Sequence, residues 1–368
     1  MPVLALAMLA LTSAIPPPSR SSSSCASALV RACGGHPAGL HGSPAAQLCM
    51  LCVGHAQREL RVAGCSGADV EEHCVRSDAP PTIEIAPGVH MPVLGLGAAH
   101  FRDATTTTVL QWLKQGGRAI DTSADYGDGL HAAELLTGKA IKQSGLARKD
   151  LFITSKIPQT LLGYNSTLAV AAGSLAALGV DYLDLLLIHW PGVVPSYNPG
   201  HTPPEDPTAA RVATWRALEE LHKQGKVRAI GVSNFMPRHL AELFALEDAI
   251  VPAVNQFEYH VGLHDQQLLA TCAAHNITVT GYAPLGVGAV LHNPVVEKIA
   301  AAHSKTAAEV AIRWLVQRGA TTIPGANTIQ YMDEDLGVFS WALTEAEMQV
   351  LDQQTSPGRQ YSDPHKIP

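Results

Sequence analysis

From Thr82 onward, short apolar runs alternate with stretches whose apolar residues recur every three or four positions, the pattern of strands and helices taken in turn. Eight strand candidates follow one another at 93–97, 118–121, 151–156, 183–189, 227–233, 253–259, 277–283 and 321–325. Runs such as Leu183-Asp184-Leu185-Leu186-Leu187-Ile188 are apolar without strict alternation, as strands covered on both faces must be. Helical stretches are predicted between them at 106–114, 167–178, 207–224, 265–275 and 306–318. Eight strands separated by helices favour an α/β fold closed into a (β/α)8 TIM barrel over an open sheet.

Residues 82–92, with a turn at Pro87-Gly88, read as a hairpin placed to plug the bottom of the barrel. Thr344-Glu345-Ala346-Glu347 offers a capping box that starts a last helix running to about residue 354. The barrel therefore occupies 82–356, and the tail at 357–368, rich in proline and without periodicity, reads as a loose arm over the barrel mouth.

Composition divides the chain. Six of its seven cysteines (Cys25, Cys33, Cys49, Cys52, Cys65 and Cys74) precede the barrel, so residues 25–75 form a small cysteine-rich module joined to it by a linker at 76–81. An even set in a short segment suggests disulfides in an oxidising compartment, with the pairing left open. Cys49 and Cys52 with His36, His41 and His55 also suit zinc, but no second paired motif completes such a site. Cys272, alone in the remainder, falls on an apolar helical face and reads as a core thiol. Residues 1–24 resemble a signal or transit segment, with an apolar stretch, three prolines and a serine run; this points to the secretory pathway or an organelle lumen, with a cytoplasmic address as the alternative. The sequons at Asn165 and Asn276 are compatible with secretory entry. A net charge of -7 without a basic stripe argues against nucleic acid, and no run is long enough to span a membrane.

Candidate chemistry gathers where strands end. Asp121, Lys156 and His189 each stand at the end of an apolar run, and Tyr126 lies five residues beyond Asp121. In a parallel barrel the loops after the strands build the active site, so ionisable residues there read as chemistry. Reduction of a carbonyl needs a proton donor that works near neutral pH. A tyrosine can serve if a buried cation lowers its pKa from about 10, and the cation needs a carboxylate to stay charged in a dry pocket. Tyr126, Lys156 and Asp121 supply donor, cation and acid, while His189 would hydrogen-bond the carbonyl oxygen as charge grows there.

Several ordered motifs carry a family resemblance. Arg118-Ala119-Ile120-Asp121-Thr122-Ser123-Ala124-Asp125-Tyr126, Ile153-Thr154-Ser155-Lys156 and His189-Trp190-Pro191 are followed by Gly225-Lys226-Val227-Arg228-Ala229-Ile230-Gly231-Val232-Ser233-Asn234-Phe235. Asn255-Gln256-Phe257-Glu258-Tyr259 and Gly281-Tyr282-Ala283-Pro284-Leu285-Gly286 complete the series. Over 82 to about 356 the chain resembles the aldo-keto reductases. The resemblance implies reduction of aldehydes or ketones by NADPH or NADH, with Tyr126, Lys156, Asp121 and His189 as the catalytic set. It also implies that Ser233, Asn234 and Gln256 hold the nicotinamide carboxamide, that Tyr282 stacks on the ring, and that Leu285, Gly325, Glu334 and Asp335 lie along the rest of the cofactor. Trp190, His100 and Phe101 would contact a small-molecule carbonyl substrate, and no metal is required.

The chain departs from that pattern after its last strand. The family usually has a lysine and then an arginine there to grip the 2′-phosphate of NADPH; this sequence has Gly325 and Tyr331. The preference for NADPH over NADH should weaken accordingly. Gly97-Ala98-Ala99 lacks the aromatic common after the first strand, which leaves that wall open unless His100 or Phe101 fills it. The alternatives are a nucleotide-binding regulatory protein with a catalytically weak barrel, and a secreted binding protein acting through the cysteine-rich module. A monomer or weak oligomer is expected.

Overall fold

The computed structural model describes residues 81–196, 198–355 and 361–368. The signal or transit segment (1–24), the cysteine-rich module (25–75) and all of the linker except Pro81 lie outside the described residues. A two-stranded antiparallel hairpin, β1 (Thr82–Ala86) and β2 (Val89–Pro92), comes first. It is followed by eight parallel strands: β3 (Leu96–Gly97), β4 (Ala119–Asp121), β5 (Phe152–Ile157), β6 (Leu183–Ile188), β7 (Val227–Ser233), β8 (Val254–Glu258), β9 (Thr278–Tyr282) and β10 (Thr321–Ile323). Neighbours in sequence are neighbours in the sheet throughout.

Backbone bonds join the first strand region to the last. Leu94 bridges Thr322 in parallel, Gly95 N–H donates to Thr322 O at 2.9 Å, and Gly97 N–H donates to Pro324 O at 2.9 Å. The first strand was expected over 93–97, but only Leu96 and Gly97 pair with β4, because the preceding residues bond to β10 instead. Gly97 is required at this seam: a Cβ there would lie 2.7 Å from Ile323 O, inside contact distance.

The hairpin plugs the bottom as expected. Ile85, Val89 and Met91 pack with Ala119, Phe152, Leu185, Leu187, Ala229 and Val254, side chains of the lower barrel interior. The helices cover the outside of the barrel, their apolar faces joined with the strands in one large core that includes Trp112, Trp215 and Trp314. Helix starts follow local chemistry: Asp206 caps Pro207–Lys223 by accepting from Ala209 N–H, and the capping box at Thr344 starts Glu345–Asp352. Cys272 is fully buried, and burial pushes its thiol up to about 11.

The tail differs from expectation. Residues 361–368 lie over the mouth but are fastened there. His239 Nε2 lies 3.0 Å from Ile367 O, and Arg211 Nη1 donates to Pro368 O at 2.8 Å. Ile367 is buried against Trp190 and Val194. A proline-rich segment without periodicity can still dock when a buried arginine and a buried imidazole bind its carbonyl oxygens.

Candidate active site

Three strand ends and the loop after β4 deliver the four proposed catalytic residues to one rim. Asp121 ends β4, Lys156 sits in β5, and His189 follows β6, its N–H bonded to Ile157 O at 3.0 Å. The ladder also extends beyond β4 and β7: Thr122 N–H donates to Thr154 O at 2.9 Å, and Asn234 N–H donates to Gln256 O at 2.8 Å. Hydrogen-bonded backbone thus holds the site residues one step past the strands, where the loops begin.

Lys156 is completely buried and makes three bonds. Its ammonium donates to Asp121 Oδ1, to Thr122 O at 2.9 Å and to the Tyr126 hydroxyl at 3.2 Å. Asp121 accepts on its other oxygen from Gln256 Nε2 at 2.8 Å. A buried ion pair needs such additional bonds to offset its desolvation, and here every partner is supplied.

The tuning of Tyr126 runs opposite to the sequence expectation. Burial, followed by the charges of Asp121 and Asp125, pushes the phenol well above its ordinary value. Lys156 does not prevent this, because its charge is already matched by Asp121 at contact distance. The site therefore holds a protonated phenol rather than a phenolate.

His189 lies with its ring edge toward Tyr126, centroids 5.5 Å apart, and its Nδ1 is 3.0 and 3.1 Å from the two oxygens of Asp125. Asp125 also accepts from Ser123 Oγ at 2.5 Å. Its carboxyl is lowered to about 2; burial, the largest influence, works upward and is outweighed by His189 and by the hydrogen bonds from His189 and Ser123.

These groups line a cavity of about 360 Å³ at the mouth. Asp121, Tyr126 and His189 face it, as do Ser233, Asn234, Gln256 and Tyr282 on one side and Trp190, His100 and Gly325 elsewhere. The amide and hydroxyl groups form one network: Ser233 Oγ donates to Gln256 O at 2.7 Å, Asn234 Nδ2 donates to His189 O at 3.0 Å, and the Tyr282 hydroxyl donates to Asn234 Oδ1 at 2.8 Å. Asn234 has a positive φ of 61°, a conformation asparagine tolerates better than most residues.

Other expected residues lie apart. Phe101 packs against the core and Leu285 is half-buried beside it, neither of them lining the cavity. Glu334 and Asp335 stand on the helix Ile329–Gly337; Glu334 bonds Thr306 and Gln330, and Asp335 is buried. Burial, with Glu334 and Glu309 nearby, raises the Asp335 carboxyl to about 8. Tyr331 is half exposed.

Sequence reasoning missed Asp125, Gln159, Asn198 and Tyr361, which also line the cavity. Asp125 stood beside Tyr126 in the same motif, a usable signal. Tyr361 had none, since it arrives from the far end of the chain. Its ring meets Tyr282 edge-on at 5.5 Å, its hydroxyl is 3.2 Å from His100 Nε2, and its N–H donates to Glu258 Oε2 at 3.3 Å.

Comparison with known proteins places the barrel in a family. The family model described as the aldo/keto reductase family matches residues 93–355. A 9,11-endoperoxide prostaglandin H2 reductase of Trypanosoma cruzi is 39% identical over 281 residues, covering 75% of this chain and 92% of that protein. A glyoxal reductase of Bacillus subtilis is 41% identical over 274 residues, 74% of this chain and 91% of that one. Among solved structures, an aldo/keto reductase from Brucella melitensis superposes with a TM-score of 0.67 at 33% identity, covering 75% of this chain and 99% of that one. The chain belongs to the aldo/keto reductase family, and its barrel is that of an oxidoreductase acting on carbonyl compounds.

Proposed function

We propose that this protein reduces mid-sized aldehydes or ketones to alcohols with a reduced nicotinamide cofactor, using Tyr126 as the proton donor. The observation that carries this reading is the continuous chain from Asp121 through Lys156 to the Tyr126 hydroxyl, with His189 beside it on the same rim. The names of relatives that reduce glyoxal and a prostaglandin endoperoxide support a pocket of broad tolerance.

The residues present fit a nicotinamide. A carboxamide needs both a donor and an acceptor, and Gln256 on the rim offers both, since it gives one N–H to Asp121 and keeps its second N–H and its amide oxygen. Tyr282, tied by its hydroxyl to Asn234, supplies an aromatic face at the cavity wall. When bound, the reduced cofactor supplies the hydride for the carbonyl carbon. His189 then orients the carbonyl, Tyr126 gives its proton to the oxygen, and Lys156 stabilises the phenolate left behind. Trp190 and the apolar wall exclude water from that transfer.

NADH should serve nearly as well as NADPH. Gly325 and Tyr331 replace the cations that would grip a 2′-phosphate, and Tyr331 offers instead an exposed ring. Quenching of intrinsic fluorescence on titration with each reduced cofactor, followed by turnover of an aldehyde panel, tests both points. Both cofactors should bind within about a hundredfold of each other, a span of roughly 3 kcal/mol. NADPH binding more tightly than that would overturn the cofactor reading, and saturable binding without reduction of any aldehyde or ketone would overturn the reductase reading.

A further inference from the structure

Asp125 has no role in the reaction as described so far, yet it is the residue that holds His189. Both of its oxygens reach Nδ1, at 3.0 and 3.1 Å, and the Ser123 hydroxyl donates to Oδ1 at 2.5 Å while its oxygen lies 3.4 Å from Nδ1. Neither partner is loose: the side chain of His189 is 14% exposed and that of Asp125 27%. A carboxylate can only accept hydrogen bonds, so Nδ1 must carry a hydrogen. That assignment constrains the other nitrogen. A singly protonated ring with its hydrogen on Nδ1 offers a lone pair at Nε2, which repels a carbonyl oxygen. To donate to that oxygen from Nε2, the ring must carry both hydrogens.

The charges around His189 suit that state. Around the cavity it shares Asp121, Asp125 and Tyr126 from the end of β4 and its loop, Tyr282 from β9, Tyr361 from the tail and His100 from the loop after β3, while Lys156 of β5 lies behind them, bonded to Asp121 and Tyr126. Two carboxylates stand against one buried ammonium, so a doubly protonated His189 brings the set to neutrality. Ser123 and Asp125 both precede Tyr126 on one short loop, so donor and charge-holding carboxylate are positioned by the same backbone.

We infer that Asp125 is a positioning residue for this site: it fixes the hydrogen of His189 on Nδ1 and supplies the negative charge that lets the ring present a second hydrogen, on Nε2, to the substrate oxygen. This rests on the reductase reading for its consequence in turnover, but the hydrogen-bond assignment itself does not.

The test is Asp125→Asn with two independent readouts. Asparagine keeps the size of the side chain and can still accept from Nδ1 through its oxygen, so the ring stays oriented while the charge is lost. The basic limb of the kcat/KM profile should then move to lower pH by about one pH unit or more, the usual effect of one adjacent charge. Near pH 8 the variant should be about tenfold slower than the parent, with the gap closing as pH falls. A loss by the same factor at every pH, or no change at any pH, would overturn the inference. Nitrogen-15 NMR of the histidine rings of the unsubstituted protein gives the second readout: the His189 ring should carry hydrogen on Nδ1 throughout the neutral range. Hydrogen on Nε2 alone would overturn the assignment whether or not any carbonyl is reduced, whereas absent turnover with the expected spectrum would count against the reductase reading only.

Discussion

The Tyr126 hydroxyl lies 3.2 Å from Lys156 Nζ, but the ammonium that should acidify it is already matched by Asp121. Burial and two neighbouring carboxylates therefore hold the phenol protonated well past its ordinary range. On the proposed reading of Tyr126 as the proton donor, that proton would leave only as negative charge builds on an oxygen placed beside it.

Removal of one member of the buried pair should cost more than removal of its charge altogether. Lys156→Met leaves Asp121 with an uncompensated buried charge, for an expected loss of about 3–5 kcal/mol in urea unfolding. Adding Asp121→Asn to that variant should restore much of the loss, because the amide keeps an acceptor for Gln256 Nε2. A double variant as unstable as the single one would show that Asp121 is held by something other than Lys156.

Asp335 should make the barrel less stable as pH rises. Its folded carboxyl is raised to about 8 from an unfolded value near 3.8, so its favourable contribution is present below about pH 4 and is lost as pH climbs through 8. Asp335→Asn removes that loss. Its Tm should match the parent near pH 4 and exceed it by several degrees near pH 8; equal melting at both would place the ionised carboxylate in contact with water.

The opposite sign applies to His239. Burial lowers it to about 4, where it accepts from Met236 N–H at 3.1 Å through Nδ1 and lies 3.0 Å from the carbonyl of Ile367 in the tail. A depressed histidine contributes stability above its unfolded value of about 6.5 that disappears as pH falls to 4. The parent should lose roughly 2–3 kcal/mol across that window, and His239→Gln should lose less. Parallel unfolding curves for the two proteins would remove His239 from the acid response.

Much of this was legible in the sequence. Strands buried on both faces must be apolar runs, and the residues that end them, Asp121, Lys156 and His189, necessarily arrive at one rim of a parallel barrel. What resisted reading depends on sums or on distance along the chain. The phenol of Tyr126 is set by burial together with the charges of Asp121 and Asp125, a sum no motif displays. Tyr361 and Ile367 reach the mouth through carbonyl bonds to Arg211, Arg238 and His239, and side chains that bind backbone leave no pattern in the segment they bind. Asp335, placed along the cofactor by resemblance, turns inward beside Glu309 and Glu334 because its helix presents that position to the core.

The central claim is that the Tyr126 hydroxyl delivers the proton, and Tyr126→Phe tests it with the loss of a single oxygen. Aldehyde-dependent oxidation of reduced cofactor should fall by about 10²- to 10⁴-fold, while the dissociation constant of the cofactor stays within about threefold of the parent. Turnover at the parental rate by the phenylalanine variant would contradict the account and assign the proton to another group on the rim.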